Sequence, residues 1–86
     1  MNKLTAMDIY ELCNANGWFT CGTNSQYSKL FDFVTKANID SISNHKRAIQ
    51  TIVTCIWICS DDFTMAEISN EIFLLIANKN NMFIDL

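Results

Sequence analysis

The chain has 86 residues, half of them hydrophobic and 12% aromatic, with two glycines, no proline and a net charge of −3. This composition excludes an intrinsically disordered chain, and the length suits one hydrophobic core, so we expect a single domain over residues 1–86. The longest apolar stretch, from Ile52 to Cys59 with Thr54 inside it, is far shorter than the roughly 20 residues that cross a bilayer, which excludes a membrane span.

The first helix is predicted from its two ends. Thr5 is placed to cap it, Asp8 can bond back from the third helical position, and Gly17 is placed to end it. Trp18 and Phe19 then fall in a loop without helical period. Because both rings are too apolar to leave in water, we expect them to anchor the core.

The second and third helices are predicted to begin at polar caps. Thr23 or Asn24 can cap the second helix, whose apolar stripe consists of Tyr27, Leu30, Phe31 and Val34. For the third helix two caps compete, Asp40 and the pair Ser43 or Asn44. We prefer Asp40, because a start at Asn44 would place three basic side chains in the first turn, where the helix dipole disfavours cations.

The third helix is predicted to be the central one. Its apolar positions cover an unusually wide surface and are Ala48, Ile49, Ile52, Val53, Cys55, Ile56 and Cys59. Trp57 on this helix is expected to be a further core anchor. Thr64 and Glu67 form a capping box for a fourth helix that should end near Asn78. The sequence therefore predicts an all-α protein, a compact bundle of about four helices.

Four cysteines raise the question of a metal site. Cys55 and Cys59 lie four residues apart on one helical face, and Cys13 and Cys21 could complete the four ligands of a structural zinc ion. His45, the only histidine, could replace one thiolate. The competing interpretation is that all four are small apolar side chains of the core, a common fate of free cysteine.

The sequence gives little support to an enzyme. It contains no glycine-rich phosphate loop, no nucleophile elbow and no paired-histidine zinc motif. A pair such as Cys21 with His45 is the kind of combination that four cysteines and one histidine produce by chance. We therefore expect a protein without catalytic activity.

Charge is distributed unevenly along the chain. Residues 48–86 carry one lysine against five carboxylates, a net charge of −4, and the group Asp61, Asp62, Glu67 and Glu71 forms the acidic end. Acids near a helix N-terminus complement its dipole, which alone could explain them. The functional alternative is a docking patch for a basic protein surface. Direct binding of nucleic acid is not expected, because that normally needs clustered cations.

A family resemblance adds a sharper expectation. It rests on the segments Trp18–Asn24, Gln26–Tyr27, Lys29–Phe31 and Ile56–Ser60. In these segments the chain resembles small proteins encoded by phages and prophages of Gram-positive bacteria, and the small anti-CRISPR proteins that inhibit type II-A Cas9. Residues 39–51 depart from the shorter connection that is typical of those phage proteins.

The resemblance implies a stoichiometric inhibitor in the cytoplasm of an infected bacterium. Such a domain would occupy a surface of Cas9 and block guide loading, target-DNA loading or a conformational step. The competing expectation is a small structural or regulatory phage module, stabilised by zinc or joined as a homodimer through an apolar helical face.

Overall fold

Four helices make up the structure, which is a computed structural model that describes residues 3–18, 24–60 and 63–80, without the side chains of 24–27. They are α1 (Ala6–Asn16), α2 (Asn24–Ala37), α3 (Lys46–Ile58) and α4 (Met65–Lys79). None of the described residues forms a strand. The prediction of an all-α bundle of about four helices is confirmed, and the radius of gyration of 12.1 Å is that of a compact chain.

α1 begins and ends where its sequence predicts. The Thr5 hydroxyl accepts the Asp8 N–H at 3.2 Å, and the Asp8 carboxylate accepts the Thr5 N–H at 2.8 Å, which completes the capping box. Gly17 ends the helix in the left-handed conformation, at φ 68°, and the next N–H, that of Trp18, bonds to the Cys13 carbonyl at 3.0 Å. A glycine is suited to this position because it has no Cβ to strain.

The predicted start of the third helix at Asp40 is wrong. α3 begins at Lys46, and its N-cap residue His45 makes no capping bond through its side chain. Residues 42–44 form a separate turn instead. In it the Asn44 N–H donates to the Ser41 hydroxyl and the His45 N–H donates to the Ile42 carbonyl, both at 3.3 Å. These bonds take up the N–H groups that a helix from Asp40 would use, because a serine side chain competes with the backbone for them.

α4 begins after the predicted N-cap residue, Thr64, but Glu67 bonds to the Thr64 hydroxyl and not to the Thr64 N–H of a full capping box. The Thr64 hydroxyl accepts the Glu67 N–H at 3.2 Å and donates to the Glu67 carboxylate at 3.0 Å. The helix continues to Lys79, one residue beyond the predicted end, and Asn80 terminates it. No helix in the described ranges is long and apolar enough to cross a membrane.

Isoleucines form most of the core. α3 packs most extensively against α4 and also against α2, while α1 packs against α2. The fully buried isoleucines are Ile9, Ile39, Ile49, Ile52, Ile56, Ile68, Ile72 and Ile76. Their spacing along α3 and α4 is three or four residues, so each helix presents one apolar face to the other.

The aromatic residues that were predicted to anchor the core differ in burial. Trp18 is 5% exposed, and its ring meets that of Phe63 edge to face at 6.4 Å, so its prediction as a core residue is confirmed. Trp57 is 44% exposed, so its prediction as a core anchor is wrong. The buried residues of α3 are Ile49, Ile52, Val53 and Ile56, and Trp57 lies at the edge of the face that they form. Phe19 lies outside the described residues.

An ion pair connects the start of α1 to the end of α4. Lys79 Nζ donates to Asp8 Oδ2, the same oxygen that accepts the Thr5 N–H. Partial burial works to raise the pKa of Asp8, but the hydrogen bonds from Lys79 and Thr5 outweigh it and hold the pKa below its ordinary value. Asp8 therefore both caps one helix and fixes the position of another.

Candidate functional site

The structure describes three of the four cysteines that the sequence assigned to zinc. Cys13 is buried at the end of α1, where desolvation raises the pKa of its thiol to about 12. Cys55 is exposed in α3 and Cys59 is buried at the end of the same helix. Cys21 lies outside the described residues. Two of the described thiols are thus buried and one is exposed.

The described residues do not by themselves make a zinc site. Across residues 3–18, 24–60 and 63–80, no three histidine, cysteine or acidic side chains lie close enough to hold one ion. His45 lies instead beside Asp40, with 3.5 Å between Nδ1 and Oδ1. A zinc ion that includes Cys21 stays a prediction.

The predicted acidic contacts lie partly on α4. Glu67 is exposed in the first turn, where its carboxylate accepts a hydrogen bond from the Thr64 hydroxyl. Glu71 lies one turn later and is half-buried. Asp61 and Asp62 lie outside the described residues. For Glu67, the structural explanation and the docking explanation are therefore compatible.

The difference in net charge is larger between the two helix pairs than between the two halves of the sequence. α1 and α4 together carry a net charge of −3, from Asp8, Glu11, Glu67 and Glu71 against Lys79. α2 and α3 together carry a net charge of +3, from Lys29, Lys36, Lys46 and Arg47 against Asp32. The domain thus offers one acidic and one basic helix pair, although its total charge is −3.

A groove of about 330 Å³ lies between α2 and α3. We name it the α2–α3 groove. Its α2 wall consists of Lys29, Leu30 and Phe33. Its α3 wall consists of Thr51, Cys55, Ile58 and Cys59. Ile58 is 66% exposed, the largest exposure among the large hydrophobic side chains of the described residues.

The lining of this groove is apolar apart from one cationic side chain. Thr51 uses its hydroxyl inside α3, where it donates to the Arg47 carbonyl at 3.0 Å. Lys29 is the one charged residue of the lining, and it is exposed. The groove is therefore able to take apolar side chains and to pair with an adjacent negative charge.

Two smaller apolar depressions lie at the other helix junctions. One, of about 240 Å³, lies between α1 and α2 and is lined by Ala6, Met7, Tyr10 and Phe31, with the Tyr10 and Phe31 rings edge to face at 6.2 Å. The other, of about 170 Å³, lies between α3 and α4 beside the exposed ring of Phe73. Each junction thus leaves some apolar surface uncovered.

Sequence reasoning assigned none of the α2–α3 groove residues to a partner surface. A signal was present, because the apolar surface of α3 is wider than two neighbouring helices cover and Phe33 extends the stripe of α2. Compared with known proteins, the chain matches no family model, no curated protein and no solved structure.

Proposed function

We propose that this chain acts without catalysis, by forming a stoichiometric complex with another protein, and that the partner is a type II-A Cas9 of a bacterial host. The observation that carries protein binding is the exposed set of large apolar side chains around a well-buried core. This set consists of Met7, Tyr10, Phe33, Trp57, Ile58 and Phe73. Exposed aromatic and aliphatic groups of this kind supply most of the binding energy at protein interfaces.

The choice of Cas9 is supported by resemblance and by charge. The segments Trp18–Asn24 and Ile56–Ser60 resemble small Cas9 inhibitors, and a net charge of −3 on α1 and α4 suits a basic partner surface. Cas9 holds its guide and target in a positively charged channel. A domain docked there through Glu67 and Glu71 would compete with nucleic acid. By sequence, Asp61 and Asp62 belong to the same contact set.

The test is DNA cleavage by purified Cas9 with varied order of addition. We expect inhibition to be complete near equimolar protein, and to depend on whether the protein is added before or after guide RNA and target. Full cleavage at a large molar excess of the protein would remove Cas9 as the partner. A stable homodimer without effect on Cas9 would support the competing structural or regulatory module.

Charge variants separate docking from folding in that assay. The double variant Glu67→Gln, Glu71→Gln keeps an oxygen that accepts the Thr64 hydroxyl proton but removes two charges. We expect it to inhibit about fivefold less strongly and to melt only a few degrees lower, because the helix dipole loses a complementary charge. Asp32→Asn on α2 is the matched control and should inhibit like the unmodified protein. Equal inhibition by all three proteins would exclude the acidic contacts.

A further inference from the structure

We propose that the α2–α3 groove is a second docking site, which takes an acidic amphipathic helix of a partner protein. This site is separate from the acidic residues of α1 and α4 and opposite to them in charge. The proposed docking site therefore does not depend on whether Cas9 is a partner.

The shape of the groove suits a helix. It runs between two helices, and its volume of about 330 Å³ is sufficient for a few aliphatic side chains. Phe33 and Ile58 line its walls and remain exposed, so a bound helix would bury apolar surface that the domain itself leaves in water. Helices that dock in such grooves present anchors three, four and seven residues apart.

The cations around the groove define the charge of its occupant. On α2, Lys36 lies three residues after Phe33 and seven after Lys29, so both lysines share the face that lines the groove. On α3, Arg47 precedes Thr51 by one turn and extends the other wall. All three cations are exposed. Carboxylates that flank the apolar row of a partner helix would lie close to them.

The other two depressions do not offer this combination. The lining between α1 and α2 contains no charged side chain, so it does not select an occupant by charge. The lining between α3 and α4 has one cation, Lys46, but about half the volume of the α2–α3 groove. Of these three depressions, the one with the largest volume thus lies on the basic helix pair.

The test uses two labelled helical peptides of about 16 residues, a length at which a helix can form in water. Both carry leucines at anchor spacing, and the flanking positions are glutamate in one and lysine in the other. We expect the glutamate peptide to bind at least about tenfold more tightly by fluorescence anisotropy. NMR shifts should fall on Lys29, Phe33 and Ile58. Equal affinity of the two peptides, or no binding of either, would overturn the docking site.

Paired variants locate the binding. Ile58→Ser should weaken the glutamate peptide about tenfold, whereas Met7→Ser should not, although Met7 at 61% is almost as exposed as Ile58 at 66%. Lys29→Glu should weaken the glutamate peptide and strengthen the lysine peptide, with Lys46→Glu as its control. Reciprocal charge dependence cannot arise from misfolding. Equal losses for Ile58→Ser and Met7→Ser would contradict binding in the groove.

The alternative occupant of the α2–α3 groove is a second copy of the chain. α1 exposes Met7, Tyr10 and Glu11 at helical spacing, which is itself an apolar row with an acid. Analytical ultracentrifugation of the protein alone should give a monomer at the concentrations used for peptide binding. An oligomer that both Ile58→Ser and Met7→Ser abolish would mean that the groove takes a second copy, and would overturn the proposed partner helix.

Discussion

The two sides of α3 contain similar side chains but have different surroundings. One side, with Ile49, Ile52, Val53 and Ile56, is buried in the bundle. The other side carries Cys55, Trp57 and Ile58, which remain exposed. The helix is apolar on more of its circumference than its neighbours cover. Hydrophobic content therefore identifies α3 as central, but the packing of α2 and α4 decides which apolar residues stabilise the fold and which are left for a partner.

The largest contrast that we expect between buried and exposed positions is in thiol reactivity. Since the pKa of Cys13 is raised to about 12 from 9.0, its thiolate is about a thousandfold rarer than that of an ordinary thiol at neutral pH. Iodoacetamide should therefore modify Cys55 rapidly and leave Cys13 intact. Peptide mass spectrometry measures both sites in one sample. Comparable labelling of the two cysteines in the folded protein would contradict the burial of Cys13.

The buried side of α3 should dominate stability. Ile52→Ala removes a fully buried side chain and should lower the free energy of unfolding by about 2–5 kcal/mol, as measured by urea denaturation. Because this loss could unfold so small a domain, Ile52→Val provides a milder variant with an expected loss of about 0.5–1.5 kcal/mol. An undiminished free energy of unfolding in both variants would place Ile52 outside the core.

The connection between α1 and α4 should contribute less, and its contribution should depend on pH. Asp8→Asn weakens both the capping box and the bond from Lys79, so we expect a loss of about 1–2 kcal/mol at pH 7. The folded protein holds the pKa of Asp8 below 3.8, so this stabilisation is fully present above about pH 3.8. It disappears as the pH falls through the lowered pKa.

Urea denaturation at pH 7 and at pH 2 checks this dependence. The difference in stability between the Asp8→Asn variant and the unmodified protein should be large at pH 7 and much smaller at pH 2. A difference that is equal at both values would show that the carboxylate charge of Asp8 does not contribute.

Lys29, which lines the α2–α3 groove, should contribute least to stability. Lys29 is exposed, and replacing it by alanine should change the free energy of unfolding by less than about 0.5 kcal/mol. Thermal melting followed by circular dichroism measures this change. A loss above about 1 kcal/mol would indicate that the side chain of Lys29 supports the fold rather than a partner.

Local signals were enough to predict the ends of two helices. Thr5 with Asp8, Gly17, and Thr64 with Glu67 act through bonds between residues close in sequence, so their spacing reveals them. The start of α3 could not be predicted in this way. A separate turn over residues 42–44 precedes it, and spacing alone does not decide between that turn and a helix that begins at Asp40.

The candidate site was harder to predict than the fold. Helical spacing shows that Cys55, Trp57 and Ile58 belong to an apolar helix, but it does not show which neighbour covers them. The α2–α3 groove depends on how two helices pack, and Lys29 and Phe33 gain their significance from that packing. The charge difference between the two helix pairs was not predicted either. A division of the sequence before residue 48 separates Lys46 and Arg47 from the rest of α3.

The difference between the two sides of α3 is tested most directly by thermal melting of two serine variants. Ile56 is fully buried and Ile58 is 66% exposed, and the two residues lie two positions apart on opposite sides of the same helix. We predict that Ile56→Ser loses its cooperative transition or melts far lower, while Ile58→Ser melts within a few degrees of the unmodified protein. Equal destabilisation by the two substitutions would contradict the division of α3 into a core side and a binding side.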